Sequence, residues 1–204
     1  MLISGHIFNE VRDIASSNPA THDPNDFFAW LAENYASSAA LGVRRLMDHD
    51  RRSLSILRFL EDILANVSVV TRDAYIAMYR PEHRDLAHRH FSTLVGGKHK
   101  TLPPSVVRRD LRLMKREERR IRTFVNKRLA HLELRTRRRR LPKYGELSQT
   151  VQLMESVLLK YRRLLCADGP TTLLLTCSYN WKQVFYVPWV TDPDADASHG
   201  EDAV

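Results

Sequence analysis

The sequence predicts an all-α protein, an antiparallel helical bundle with an extended C-terminal arm, and two observations carry that prediction. Glycine occurs seven times in 204 residues, and the nine prolines act as punctuation at Pro19, Pro24, Pro81, Pro103, Pro104, Pro142, Pro170, Pro188 and Pro193. Between these marks apolar residues recur at steps of three and four, the period of a helix with one face turned to a core. At 43% apolar content the chain can bury one substantial core, and no glycine- or proline-rich linker divides it. One domain over residues 1–190 is therefore expected, followed by an acidic tail at 191–204.

The first predicted helix starts at Asp23-Pro24-Asn25-Asp26, where Asp23 can accept from free N–H groups, Pro24 presets φ and Asp26 complements the dipole. Phe28, Leu31, Tyr35, Ala39, Gly42 and Leu46 form its stripe, with small middle members that let another helix approach closely. A second helix is expected from Asp50 or Ser53 to about Val67. Its inner face is Ile56, Leu57, Leu60, Ile63, Leu64 and Val67, and it should form an antiparallel hairpin with the first. In the connection, Asp48, His49 and Asp50 invite a metal or acid–base reading. Adjacent residues diverge around a helix and arginines stand nearby, so capping and ion pairing is the preferred account.

Thr71 to Leu94 reads as helical with an interruption at Pro81. His83, His88 and His90 within it are spaced by five and two, which does not gather them on one face as metal ligation would require. Gly96-Gly97-Lys98 lacks the upstream glycine and following Ser/Thr of a phosphate loop and is read as a flexible connection. A long helix from Ser105 to Leu134 follows, free of glycine and proline, with Val107, Leu111, Met114, Ile121, Val125 and Leu132 as its inner stripe. Most of what remains is cationic: Arg108, Arg109, Arg112, Lys115, Arg116, Arg119, Arg120 and Arg122, relieved in part by Asp110, Glu117 and Glu118. The last helix spans Glu146 to Cys166 on Leu147, Val151, Met154, Val157, Leu158, Tyr161 and Leu165. From Thr171 to Val190 an extended arm with one short strand is expected, whose Trp181, Phe185, Tyr186 and Trp189 pack across the bundle or at a dimer interface in preference to stacking on bases.

Charge narrows the function. Residues 1–190 hold 32 Lys and Arg against 19 Asp and Glu, a net +13, while Thr191 to Val204 carries five acids and no Lys or Arg. Such a body attracts polyanions with a strong salt dependence. The tail can compete for the same surface or simply remain solvated and disordered. Cys166 and Cys177 have no C-x-x-C spacing, so neither a zinc ribbon nor a disulfide framework is suggested. No secretory signal or long apolar run is present, and a soluble cytoplasmic protein is expected, with no membrane partner.

At the end of the basic helix, His131 sits among fixed cations. Imidazole there can move protons while guanidinium groups hold a phosphate, or it can serve as a helix C-terminal cap; both readings stand. A further run, Arg135 and Arg137 through Arg140, can wrap a phosphate backbone or remain solvated. The candidate RNA-binding residues are Arg112, Lys115, Arg116, Arg119, Arg122, Lys127 and Arg135.

Three stretches resemble the HEPN superfamily, specifically its AbiU-like abortive-infection branch: Arg44-Arg45-Leu46-Met47-Asp48-His49-Asp50 leading into Ser53-Leu54-Ser55-Ile56-Leu57, then Asn126-Lys127-Arg128-Leu129-Ala130-His131, then Trp181-Lys182-Gln183 to Pro188-Trp189. The resemblance covers about Phe27 to Val190. It implies a helical bundle, homodimerisation, a role in prokaryotic defence or toxin–antitoxin systems with an antitoxin protein as partner, and action on RNA. Many members are endoribonucleases that need no metal or other cofactor and assemble paired sites at a dimer cleft.

The family signature is an arginine, four to six residues, then a histidine. Counting back from His131, the arginine positions hold Phe124, Val125 and Asn126, so this chain departs from the pattern. Arg128, three before His131 and close to the same helical face, is the better substitute; Arg122 is nine before. The tyrosine two residues after the histidine, used in the antitoxin-modified subgroup, is Glu133 here. The candidate catalytic set is therefore His131, Arg128 and Asn126. The alternative is a non-catalytic HEPN module that binds RNA or a partner protein through its basic helix, and a third reading makes the chain an interaction bundle whose charges confer solubility.

Overall fold

A computed structural model describes residues 1–18, 26–50, 52–125, 144–175 and 179–187. The chain divides into two compact units, Met1–Leu173 and Leu174–Val204. The first holds seven helices among its described residues: α1 (Leu2–Ser17), α2 (Asp26–Leu46), α3 (Ile56–Ala65), α4 (Arg72–Ala77), α5 (Arg84–Val95), α6 (Pro104–Phe124) and α7 (Tyr144–Cys166). No strand occurs among the described residues, and the all-α class is as the sequence predicts.

α6 lies at the centre of this unit and packs on α2, α3 and α7. Val107, Leu111, Met114, Ile121 and Val125 are all buried, as their spacing requires. Against them lie Ile56, Leu57, Leu60 and Ile63 of α3, and Leu147, Val151, Met154, Val157 and Tyr161 of α7. Asp110 meets Lys160 and Tyr161, Glu117 meets Thr150, and Arg120 meets Glu146, so α6 and α7 run antiparallel. At the far end of α7 the core residue is Leu164, not Leu165, which is exposed.

The small-residue stripe of α2 receives a helix, as expected, but from α1, an element without a strong sequence signal. Phe8 stacks on Tyr35 with centroids 4.4 Å apart. A Cβ at Gly5 would lie 3.1 Å from the Tyr35 hydroxyl, and one at Gly42 would lie 3.2 Å from the Met1 sulfur. Both glycines therefore permit the close approach. The main partner of α3 is α6 and not α2, so the expected α2–α3 hairpin is not the dominant pairing. Asp50 and Ser53 form a turn instead of starting the helix, with Ser53 N–H and Oγ both donating to the Asp50 carbonyl. Ser55 is the N-cap of α3, accepting from the Arg58 N–H at 3.2 Å.

The Gly96-Gly97 segment is a tied turn and not a flexible connection. Gly96 (φ 79°) ends α5 in the left-handed region, and both glycine N–H groups donate to the Ser92 carbonyl. The Arg72 guanidinium then fastens the loop, donating to the carbonyls of His99 (2.8 Å) and His88 (3.0 Å) and to Ser92 Oγ (3.0 Å). Its carbon lies 4.9 Å from the Phe91 ring centroid. Thr71 and Thr101 bridge beside it.

In the second unit, Trp181–Tyr186 is a 3-10 helix where an extended arm with a strand is expected. β-forming side chains favour a strand only when an edge is there to pair with, and a local alternative wins here. Trp181 and Phe185, four residues apart, meet edge to face at 6.2 Å, which a helical turn allows and a strand does not.

Truncating the core residue Leu60 to alanine should cost about 2–5 kcal/mol in urea unfolding. The same change at Leu54, 95% exposed, should stay within about 0.5 kcal/mol. Equal costs would refute the packing described.

Candidate nucleic-acid interface

α6 begins with Pro103-Pro104, where a missing N–H costs nothing because the first-turn donors have no helical acceptor. Each residue advances about 100° around the axis, which puts Arg108, Arg112 and Arg119 within about 40° of one another, roughly 120° around the helix from the middle of the core stripe. Lys115, Arg116 and Arg122 flank that line. All five arginines are exposed and Lys115 is half-buried.

The acids of α6 lie on the other side, which corrects their assignment to the wet surface. Asp110, Glu117 and Glu118 are 4%, 3% and 7% exposed. Asp110 accepts from Lys160 Nζ at 2.6 Å and Tyr161 Oη at 3.0 Å, and burial together with this carboxylate pushes the Tyr161 phenol far above its ordinary pKa. Glu117 accepts from Arg120 at 2.6 Å and Thr150 at 3.1 Å. Glu118 lies 3.4 Å from Arg122 Nε and 3.7 Å from His49 Nε2. Because these carboxylates sit beneath the helix, they leave the outer line cationic. Arg108 and Arg112 pair with no carboxylate among the described residues. Arg109, Arg116 and Arg122 each approach an acid through Nε, at 3.4, 3.3 and 3.4 Å, while their side chains stay largely exposed to solvent and within reach of a phosphate. Lys115 is held by Glu61 of α3 at 2.8 Å and Arg120 is shared between Glu117 and Glu146, so these two are the more committed cations.

Of the sequence-derived RNA-binding residues, the structure brings Arg112, Lys115, Arg116, Arg119 and Arg122 onto one side of α6; Lys127 and Arg135 lie outside the described residues. So do the catalytic candidates Asn126, Arg128 and His131, the run Arg137–Arg140, the helix start at Asp23-Pro24, Cys177, Trp189 and the acidic tail. Arg108 and Arg109 belong to the same face and were legible from the same periodicity. Val125, at the family's arginine position, is 1% exposed and part of the core.

The remaining polar clusters are structural. Asp48 accepts the Asp50 N–H at 3.1 Å, and Asp50 accepts the Arg52 N–H at 2.9 Å and pairs with its guanidinium at 3.1 Å. The Arg52 side chain and N–H hold the Asp50 carboxyl below its usual range. The acids thus shape a turn and make an ion pair, while the helix cap falls to Ser55. Among the described residues no three His, Cys, Asp or Glu side chains are grouped to hold a metal ion, His83, His88 and His90 included. No helix among them is long and apolar enough to cross a membrane.

A helical unit built around one basic helix, acidic inward and cationic outward, is the class these features define. The family model described as AbiU2, HEPN_AbiU2, matches residues 10–174, and the chain belongs to that HEPN family. Membership places it among abortive-infection, RNA-related defence domains. No curated protein and no solved structure matches the chain.

Asp110→Ala should destabilise the fold by about 3–5 kcal/mol, because Lys160 would be left as a poorly compensated charge and Tyr161 without an acceptor. Arg108→Ala and Arg112→Ala should each stay within about 0.5 kcal/mol. Urea titration checks both; a cost for Asp110→Ala no larger than for the arginines would contradict the inward role of the carboxylate.

Proposed function

We propose that this protein is a defence or toxin-type protein acting on RNA, and that it grips the phosphate backbone with the outer side of α6. The observation that carries this reading is the sorting of charge on that helix: carboxylates buried with their partners, and Arg108 and Arg112 exposed beside the largely exposed side chains of Arg109, Arg116 and Arg122. A row of guanidinium groups on a rigid rod binds backbone by charge and bidentate hydrogen bonding, without reading sequence.

Cleavage would follow from the residues immediately after this helix in the sequence. The ribose 2′-oxygen attacks the adjacent phosphorus, the bond to the 5′-oxygen breaks, and a 2′,3′-cyclic phosphate and a 5′-hydroxyl result. His131 acts as base for the 2′-hydroxyl proton or as acid for the leaving oxygen. Arg128 neutralises charge on the phosphoryl oxygens, and Asn126 orients the histidine or a phosphate oxygen. The scheme uses no metal, and a second copy of the chain supplies the complementary acid–base histidine. An antitoxin protein would hold such an activity in check.

A second reading, a non-catalytic HEPN module binding RNA or a partner protein through α6, is favoured by one specific observation. Val125 occupies the family's arginine position and is packed into the core, so no cation can act from it.

The nuclease and the RNA-binding module alike predict that replacing Arg108, Arg112 and Arg119 together by alanine weakens single-stranded RNA binding at least about tenfold and reduces the steepness of log K against log salt by about 2. Unchanged affinity would sink the RNA assignment. The nuclease reading adds that the purified protein cuts RNA in EDTA and that His131→Ala abolishes cutting while binding persists. Binding without cutting in the parent protein selects the non-catalytic module.

A further inference from the structure

A cavity of about 490 Å³ opens beside α4, α5 and the end of α7, and no residue of α6 is among its lining. That volume lies within the ~300–1,000 Å³ of small-molecule sites. Its walls are Tyr75, Tyr79, Leu94 and Ala167, and its polar groups are His90, Thr93, Arg163 and the two phenols. Among the described residues no carboxylate lines it.

The polar groups are organised. Tyr75 and Tyr79 share a hydrogen bond of 2.8 Å, and the Tyr79 hydroxyl lies 3.5 Å from His90 Nδ1. Their rings are held by neighbours: Tyr75 packs at 5.5 Å from Phe91 and 5.3 Å from Tyr79, and Tyr79 meets His90 edge to face at 6.4 Å. Burial, then the bond to Tyr79, raises the Tyr75 phenol well above its usual pKa, so it remains a neutral donor. Arg163 is clamped in place. Its Nη2 donates to the Pro170 carbonyl at 3.2 Å, and Gly169 lies so close that a Cβ there would come within 3.0 Å of Nε. Nε and Nη1 have no partner among the described residues. Ala167, on the same wall, adopts φ 51°, a left-handed conformation that an alanine takes only against a steric cost. A fixed guanidinium with spare donors, aromatic and apolar walls and no opposing carboxylate form a site for an acceptor-rich, negatively charged ligand with a flat body.

We infer that this cavity binds a small aromatic anion, with the ring against the tyrosines and Leu94 and the carboxylate or phosphate ester on Arg163. The inference does not depend on RNA binding by α6. The full-length protein titrated calorimetrically with adenosine 5′-monophosphate and, separately, with 4-hydroxybenzoate distinguishes a phosphate from a carboxylate source. Binding of at least one probe is expected, with inorganic phosphate at least tenfold weaker because it lacks the ring. Arg163→Gln should weaken the bound probe at least tenfold, and Arg162→Gln, whose guanidinium pairs with Asp168 at 2.6 Å, should leave it unchanged. Thr93→Trp, at an exposed position on the rim, should block the cavity without disturbing the fold and abolish binding. Failure of both probes, or affinity unaltered in folded Arg163→Gln and Thr93→Trp proteins, overturns the inference.

Discussion

The charge pattern of α6 traces back to the burial of three carboxylates, Asp110, Glu117 and Glu118, under a helix whose other charged side chains are arginine and lysine. Asp110, Glu117 and Glu118 cannot lie in a core without partners, and the fold supplies them from α7 and from α6 itself, with His49 of the turn before α3 3.7 Å from Glu118. Removing the acids from the surface leaves Arg108 and Arg112 without a carboxylate partner among the described residues and the side chains of Arg109, Arg116 and Arg122 exposed. The same arrangement thus ties the central helices together and produces a cationic edge. Neutralised in place on the outer surface, these cations would hold little more than water and salt.

Much of the architecture was legible because it follows from period and punctuation. α2, α3, α5, α6 and α7 lie where apolar residues recur every three or four positions between prolines, and Pro81 interrupts where its ring must. The partner of the α2 small-residue stripe was not legible, since α1 begins at the chain start without a side-chain cap and mixes Gly5 and His6 into its first turns. Sorting residues by charge instead of by angle also concealed the inward acids. Asp110 and Glu117 are seven apart and fall within about 40° of Ile121, at the edge of the arc defined by Val107, Met114 and Ile121, so periodicity carried information that polarity hid. The strand expected after Thr171 failed for a different reason: strand propensity describes fit to a neighbour, and Trp181 with Phe185 finds its contact within a single turn.

The candidate site was half legible. Composition and spacing located the outward row from Arg112 to Arg122, whereas which of its cations are spent on carboxylates depends on α3 and α7 and cannot be read locally. Lys115 is engaged by Glu61, 54 residues away in sequence. The buried Val125 gives physical content to a departure that the sequence could only register as a mismatch: its position now belongs to packing.

Photo-crosslinking of bound single-stranded RNA, read by mass spectrometry of the full-length protein, tests the central claim most directly. If the inward carboxylates create the RNA-binding edge, crosslinks concentrate on peptides from α6 spanning Arg108 to Arg122. Crosslinks confined to the α4–α5 arginines Arg80, Arg84 and Arg89, with α6 unlabelled, would contradict it.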